Sequence, residues 1–180
     1  MLTKPKGTKD IFNEESLEWV GLENKIRNIA KLYNYSEIRT PIFEKSGVFH
    51  RDINDTTDIV TKETYDFLDR GNRAMTLRPE GTAGAIRAYI ENKMYADAGV
   101  TKLFYIGPLF RYERPQAGRQ RQFHQFGIEA LNSDSPYLDA EVISVGIAFI
   151  RSIGFKGIKV RINSLGDEES RKNYRAALVD

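Results

Sequence analysis

The chain has 180 residues, enough mass for one domain with a real hydrophobic core. Hydrophobic residues make up 41% and charged residues 29%, a balance that excludes a disordered chain. The 27 basic and 25 acidic side chains leave +2, too mild a charge to argue for nucleic acid or membrane. With no cysteine, disulfide scaffolds, thiolate metal sites and cysteine nucleophiles are removed. Only His50 and His124 are present, so no multi-histidine metal site is expected. The basic start MLTKPKGTKD lacks the apolar stretch of a signal peptide, and the longest apolar run, 142–150, is far short of a membrane span. A soluble, cytoplasmic protein is predicted.

The first predicted element is a helix over 14–33. Asn13 reads as its N-cap, Glu14 and Glu15 suit the positive end of the dipole, and Trp19, Leu22, Ile26, Ile29 and Tyr33 recur at helical spacing. A short strand at 36–39 then runs into Pro41. Residues 65–68 and 74–78 read as a hairpin across Arg70-Gly71-Asn72-Arg73, followed by a helix over 81–92. Two strands, 102–113 with a break at Gly107-Pro108 and 122–131, are joined by the basic loop 114–121. A helix over 139–153 ends at Gly154, with a strand at 158–163 and a final helix over 168–179. The elements lack a strict β-α-β rhythm, so the fold class is α+β, an antiparallel sheet flanked by helices.

The stretch 103–129 stands apart from the rest. It holds six aromatics and four arginines, but no lysine. Arginine alone points to a planar, bidentate fork that holds phosphate or carboxylate. Strand alternation places Phe123, Gln125, Gly127 and Glu129 on one face, and His124, Phe126, Ile128 and Ala130 on the other. On the preceding strand Arg111 and Glu113 share a face, while Phe110 and Tyr112 join Phe126 and Ile128 in an expected core. The first face is too polar for a core. Gly127 is expected to leave room above it for a small molecule, although a solvated face with ion pairs satisfies the same pattern. His124 falls on the core side and is read as structural; His50 is given no role.

A second cluster, Leu77-Arg78-Pro79-Glu80-Gly81-Thr82, lies where a strand yields to a helix start. Side chains and free N–H groups can converge there on a ligand, or simply cap the helix.

Taken in order, five blocks resemble class II aminoacyl-tRNA synthetases, and within them the bacterial histidyl-tRNA synthetase family. They are Lys6-Gly7-Thr8-Lys9-Asp10, Thr40-Pro41-Ile42-Phe43-Glu44, the Leu77–Thr82 cluster, Phe110 through Gln125, and Asn163-Ser164-Leu165-Gly166. The resemblance implies a histidine–tRNA ligase that joins L-histidine to ATP and passes it to tRNA(His). It implies that Arg111 is the catalytic clamp on the α-phosphate, that Glu113 accepts from the adenine amino group and that Phe123 stacks on the ring. Arg119 and Arg121 would meet the outer phosphates, and Arg114 and Gln116 the tRNA acceptor end. For histidine it implies Glu80, Gly81, Thr82, Arg111 and Gln125 around the α-amino and carboxylate groups, and Glu129 facing the imidazole. Magnesium would accompany ATP by analogy only, with no protein metal site. Pro41 lies in the block that shapes a homodimer in this class.

The resemblance covers the chain from Thr3 onward, as the N-terminal portion of a catalytic domain incomplete at its C-terminal end. Motif 3, the Arg-Gly-Leu-Asp-Tyr-Tyr block, the inserted domain and the anticodon-binding domain have no match in residues 1–180. These residues alone are therefore expected to bind ligands without completing adenylate formation. Two other classes fit the fold: a synthetase-like regulatory subunit of ATP phosphoribosyltransferase, and an interaction module that keeps only the architecture.

Overall fold

The computed structural model describes residues 1–50, 63–163 and 168–179. The described residues hold four α-helices and two three-stranded sheets. Helix α1 (Asn13–Leu32) buries Ile26, Ile29 and Ala30, the inward stripe of its apolar spacing. Asn13 is not its cap. Phe12 takes that position in extended conformation, Asn13 itself has φ +54°, and no side chain satisfies the first amides. The helix stops at Asn34, whose φ of +63° turns the chain so that the Tyr35 N–H donates back to the Ala30 carbonyl at 2.9 Å.

Strand β1 is only Ser36–Glu37, and it pairs parallel with β5 (Thr101–Phe110). The expected strand to Arg39 is cut short because the chain leaves this sheet through Pro41, which has no N–H to donate. Beyond it, β2 (Phe43–Lys45) and β3 (Tyr65–Leu68) flank β4 (Ala74–Leu77), the latter two forming the predicted hairpin. The two sheets meet at Arg78, whose N–H donates to the Ile42 carbonyl at 2.9 Å and whose carbonyl accepts from the Phe110 N–H at 3.0 Å.

Strand β5 runs unbroken through Gly107-Pro108 and stops at Phe110, against the expected break and the expected end at Glu113. Pro108 is tolerated because β1 covers β5 only at Leu103 and Phe104. At Pro108 that side of the strand is open, and the proline carbonyl accepts from Arg78 Nε at 2.8 Å. Strand β6 (Gln122–Leu131) pairs antiparallel with β5 along its whole length, Leu103 opposite Glu129 and Leu109 opposite Phe123.

One face of this sheet carries the main hydrophobic cluster. Phe104, Phe126 and Phe149 form an edge-to-face series with ring centres 6.3 and 5.6 Å apart, packed among Ile26, Ile29, Ala30, Tyr35 and Val145. Phe149 and Val145 come from α3 (Pro136–Ser152), which starts three residues before the predicted 139 because Pro136 suits the first helical turn. Tyr112 does not join this core. It is 55% exposed, with its ring edge-on to Tyr65.

Residues 158–163 form no strand. No described neighbour offers them a ladder, and Val160 and Ile162 are exposed. Helix α4 (Glu168–Val179) follows as predicted, while Arg51 and residues 164–166 of the last matching block lie outside the described residues.

The Tyr35 hydroxyl, from the turn between α1 and β1, donates to Glu141 Oε1 of α3 at 3.0 Å, and Lys102 of β5 holds its Nζ 2.7 Å from the same oxygen. Tyr35→Phe removes that one bond and keeps the ring, so it is expected to cost about 1 kcal/mol in urea unfolding with an unchanged slope.

Candidate functional site

The opposite face of the β5–β6 pair is mixed: β6 presents the polar side chains that alternation predicts, while β5 presents the buried Leu103, Tyr105 and Leu109 opposite them. Tyr105 and Gly107 of β5 stand beside Gly127 and Gln125 of β6, with Glu129 at one end and Phe123 and Arg111 at the other. Helix α2 (Thr82–Glu91) starts above this face.

Its start is capped by Glu80. The two carboxylate oxygens accept from the Thr82 N–H at 2.6 Å and the Ala83 N–H at 2.7 Å, so capping is a role this residue fills without any ligand. Gly81 is buried where a Cβ would lie 2.1 Å from Tyr105 Cε2, and Thr82 is exposed at the rim.

The room expected over Gly127 is filled. A Cβ on Gly127 would lie 2.1 Å from Cζ of the cross-strand Tyr105, so the outer edge of that ring is wedged between Gly81 and Gly127. Burial pushes the Tyr105 hydroxyl up to about 12. Sequence reasoning missed this residue, although a large aromatic paired with a glycine on the polar face was a usable signal. Glu129 is held above the ordinary carboxylate range mainly by burial, with the charge of Glu80 adding to it; the Thr82 and Tyr105 hydroxyls pull the other way. Between the two ends, Gln125 Oε1 is buried and accepts no hydrogen bond.

At the other end a cavity of about 340 Å³ brings together Arg111, Glu113, Arg119 and Phe123, four of the five predicted nucleotide residues. Arg111 donates Nε to the Pro79 carbonyl at 2.9 Å and carries its guanidinium 5.2 Å from the Phe123 ring centre. Its Nη1 stands 3.9 Å from Glu113 Oε1, and Arg119 Nε stands 3.4 Å from Glu113 Oε2. Arg121, the fifth, does not line the cavity: its guanidinium lies 4.3 Å from the Tyr112 ring centre. Arg114 and Gln116 are exposed on the loop, whose tip closes where Gln116 and Arg119 exchange N–H···O bonds of 3.1 and 2.9 Å.

His124 borders the cavity but turns its ring to Trp19, centres 4.5 Å apart, and burial lowers its pKa. His50 lies 3.1 Å from Asp66 in the other sheet. A second, mostly apolar cleft of about 410 Å³ beside Arg87 and Ile90 holds none of the predicted residues. Among the described residues no group of three or more His, Asp or Glu could cage a metal, and no helix is long and apolar enough to cross a membrane.

The family profile for histidyl-tRNA synthetase matches residues 7–166, a span that contains every residue of this face and cavity. The chain belongs to the histidyl-tRNA synthetase family. It is 59% identical over 181 residues to the histidine–tRNA ligase of Clostridioides difficile strain 630, covering 100% of this chain and 43% of that protein. It is 56% identical over 177 residues to that of Acholeplasma laidlawii strain PG-8A, covering 98% of this chain and 42% of that protein. The chain thus spans about two fifths of the length of these curated relatives.

Among solved structures, the apo histidyl-tRNA synthetase of S. aureus superposes with a TM-score of 0.81 at 44% identity, over 99% of this chain and 42% of that one. A Bacillus halodurans C protein described as an ATP phosphoribosyltransferase regulatory subunit/histidyl-tRNA synthetase reaches 0.73 at 23% identity, over 87% of this chain and 39% of that one. That likeness shows the fold alone.

Proposed function

We propose that residues 1–180 supply the portion of a histidine–tRNA ligase that carries the Pro41 and Arg111 blocks, the part that binds L-histidine and ATP. The observation that carries this reading is the unpartnered Gln125 Oε1, buried between the Glu129 end and the Arg111 end of one sheet face. A buried acceptor without a donor is costly, and an α-ammonium group would satisfy it.

With the ammonium there, the imidazole points to Glu129 and Tyr105, and the carboxylate to Arg111. Glu80 would reach the ammonium through the lone pairs that its capping bonds leave free. A histidine carboxylate oxygen then attacks the α-phosphorus of ATP, the bond to the bridging oxygen breaks, and pyrophosphate leaves with that electron pair. Arg111 balances the charge that develops, Phe123 stacks on adenine, Glu113 accepts from its amino group, and Arg119 faces the outer phosphates. The terminal ribose hydroxyl of tRNA(His) next attacks the histidyl carbonyl, the bond from that carbon to the phosphate oxygen breaks, and AMP leaves with the electron pair and the hydroxyl proton. Arg114 and Gln116 would meet that acceptor end, a reading their exposure on the loop supports.

Magnesium does not fit as a resident ion here. The one carboxylate of the cavity, Glu113, stands between two arginines, so the metal would travel on the phosphates of ATP. A homodimer through the Pro41 region is part of the reading. The exposed Phe43 and Phe67, edge to face with ring centres 6.3 Å apart, give it an apolar surface. The compartment is that of translation, the cytoplasm.

The test is thermal unfolding with millimolar L-histidine, against L-alanine and imidazole as controls. A ligand at 100 times its dissociation constant stabilises by about 2.7 kcal/mol, so the midpoint should rise for L-histidine alone. A cooperatively folded chain whose midpoint ignores L-histidine would refute the reading.

A further inference from the structure

The loop that carries Glu113 and Arg119 is held at its base from outside the sheet. Arg111 closes it by donating its N–H to the Arg121 carbonyl at 2.9 Å. The N-terminal segment takes the other side of that residue: the Gly7 carbonyl accepts from the Arg121 N–H at 2.7 Å and the Gln122 N–H at 3.1 Å. A turn presents this carbonyl, since Thr8 donates its N–H and its hydroxyl to the Pro5 carbonyl at 3.2 and 2.8 Å.

Glycine is required at position 7 on two grounds. Its φ is +83°, and a Cβ there would lie 2.8 Å from Arg121 Cγ and 3.0 Å from the Arg121 backbone nitrogen. The close approach directs the Arg121 side chain back over the loop. Its guanidinium covers the Tyr112 ring, and its Nε donates to the Glu113 carbonyl at 3.2 Å. Tyr112 is tied in turn, its N–H donating to the Glu63 carbonyl at 2.7 Å.

We infer that Gly7 and Arg121 form a positioning latch for Glu113, in which the N-terminal segment sets where that carboxylate stands in the nucleotide cavity. The inference rests on the ATP reading above for its consequence. A carboxylate accepts from the amino group of adenine but repels the carbonyl oxygen that guanine carries there. The latch therefore governs the choice of base more than the hold on phosphate, and Arg121 acts through Glu113 rather than on the ligand.

The experiment compares the 180-residue chain with Gly7→Ala and Arg121→Lys, the second keeping the charge and losing the Nε contact. Amide hydrogen exchange is read without nucleotide, and midpoint shifts are read with ATP, GTP and L-histidine. A left-handed alanine costs about 1–2 kcal/mol, so Gly7→Ala should speed exchange at Arg111, Arg121 and Gln122 by roughly tenfold while Tyr105 and Gly127 keep their rates. Both variants should narrow the preference for ATP over GTP and leave the L-histidine shift intact. Unchanged loop exchange in Gly7→Ala, or an equal rise across the whole sheet, would overturn the latch. So would an ATP preference that survives both variants. A wild-type chain that ignores ATP, with loop exchange still answering to Gly7→Ala, would refute the nucleotide reading and leave the latch standing as the anchor of the loop.

Discussion

Gly127→Ala is expected to lower stability by about 3 kcal/mol, because overpacking a filled site commonly costs 1–3 kcal/mol and here nothing near can yield. The new Cβ would stand 2.1 Å from Tyr105 Cζ and 2.2 Å from its hydroxyl oxygen. The ring cannot swing away, since Gly81 closes on the same edge from above, where a Cβ would be 2.1 Å from Cε2. Gly81→Ala should therefore behave alike, and for a spatial reason only: its φ of −100° is open to any residue.

The decisive comparison is a double-mutant cycle in urea. In a Tyr105→Leu background the same Gly127→Ala change should cost less than about 1 kcal/mol, because the clashing ring is gone. Strictly additive costs would show that Gly127 is glycine for some reason other than Tyr105. The cycle also bears on the proposed histidine site, since Tyr105 stands beside Glu129 and its eviction would change that surface.

Alternation along β6 was enough to separate the polar face from the core face. It held because β5 and β6 pair residue for residue over their full length, so parity survives from Gln122 to Leu131. What alternation does not contain is the neighbour that crosses the face from elsewhere. Gly127 looked like room for a ligand because the ring that fills it belongs to another strand. The two sheets were likewise invisible as two, since they join through hydrogen bonds of Arg78 to Ile42 and Phe110, residues far apart in the chain.

The loop arginines show the same limit in chemical form. Arg119 and Arg121 are two residues apart and identical in kind, so the family resemblance gives both to the outer phosphates. Packing separates them: Gly7 and Tyr112 engage Arg121, while Arg119 remains beside Glu113 in the cavity. Pro108 misled in the opposite sense. A proline ends a strand only where its missing N–H was needed, and β1 is too short to need it. The family was legible chiefly through the ordered blocks, since Glu80 and Thr82 alone fit a helix cap.

Glu129→Gln should separate stability from binding. Burial and the charge of Glu80 raise this carboxyl above its ordinary 4.5 in the folded chain, so near that pH and above the folded state binds more protons than the unfolded one. The sign follows directly. Below the unfolded value both states are protonated and the group is without penalty; as pH rises through the folded value, the fold must carry an ionised, half-buried carboxylate and loses stability. Glutamine never ionises, so the variant should match the wild type at acid pH and unfold at higher urea concentration at pH 7. The difference between the two chains isolates Glu129 from Asp66 and Glu141, whose lowered values make them lose stability in acid in both. A variant less stable than wild type at pH 7 would show that the carboxylate is satisfied in the empty site. For L-histidine the expectation reverses. Loss of a charged hydrogen-bond partner is worth about 1.5–3 kcal/mol, so affinity should fall roughly 10–100-fold, as titration calorimetry would read it. Both outcomes together would assign Glu129 to that ligand, since a residue kept at a cost to the fold at neutral pH would then be kept for the hold on L-histidine.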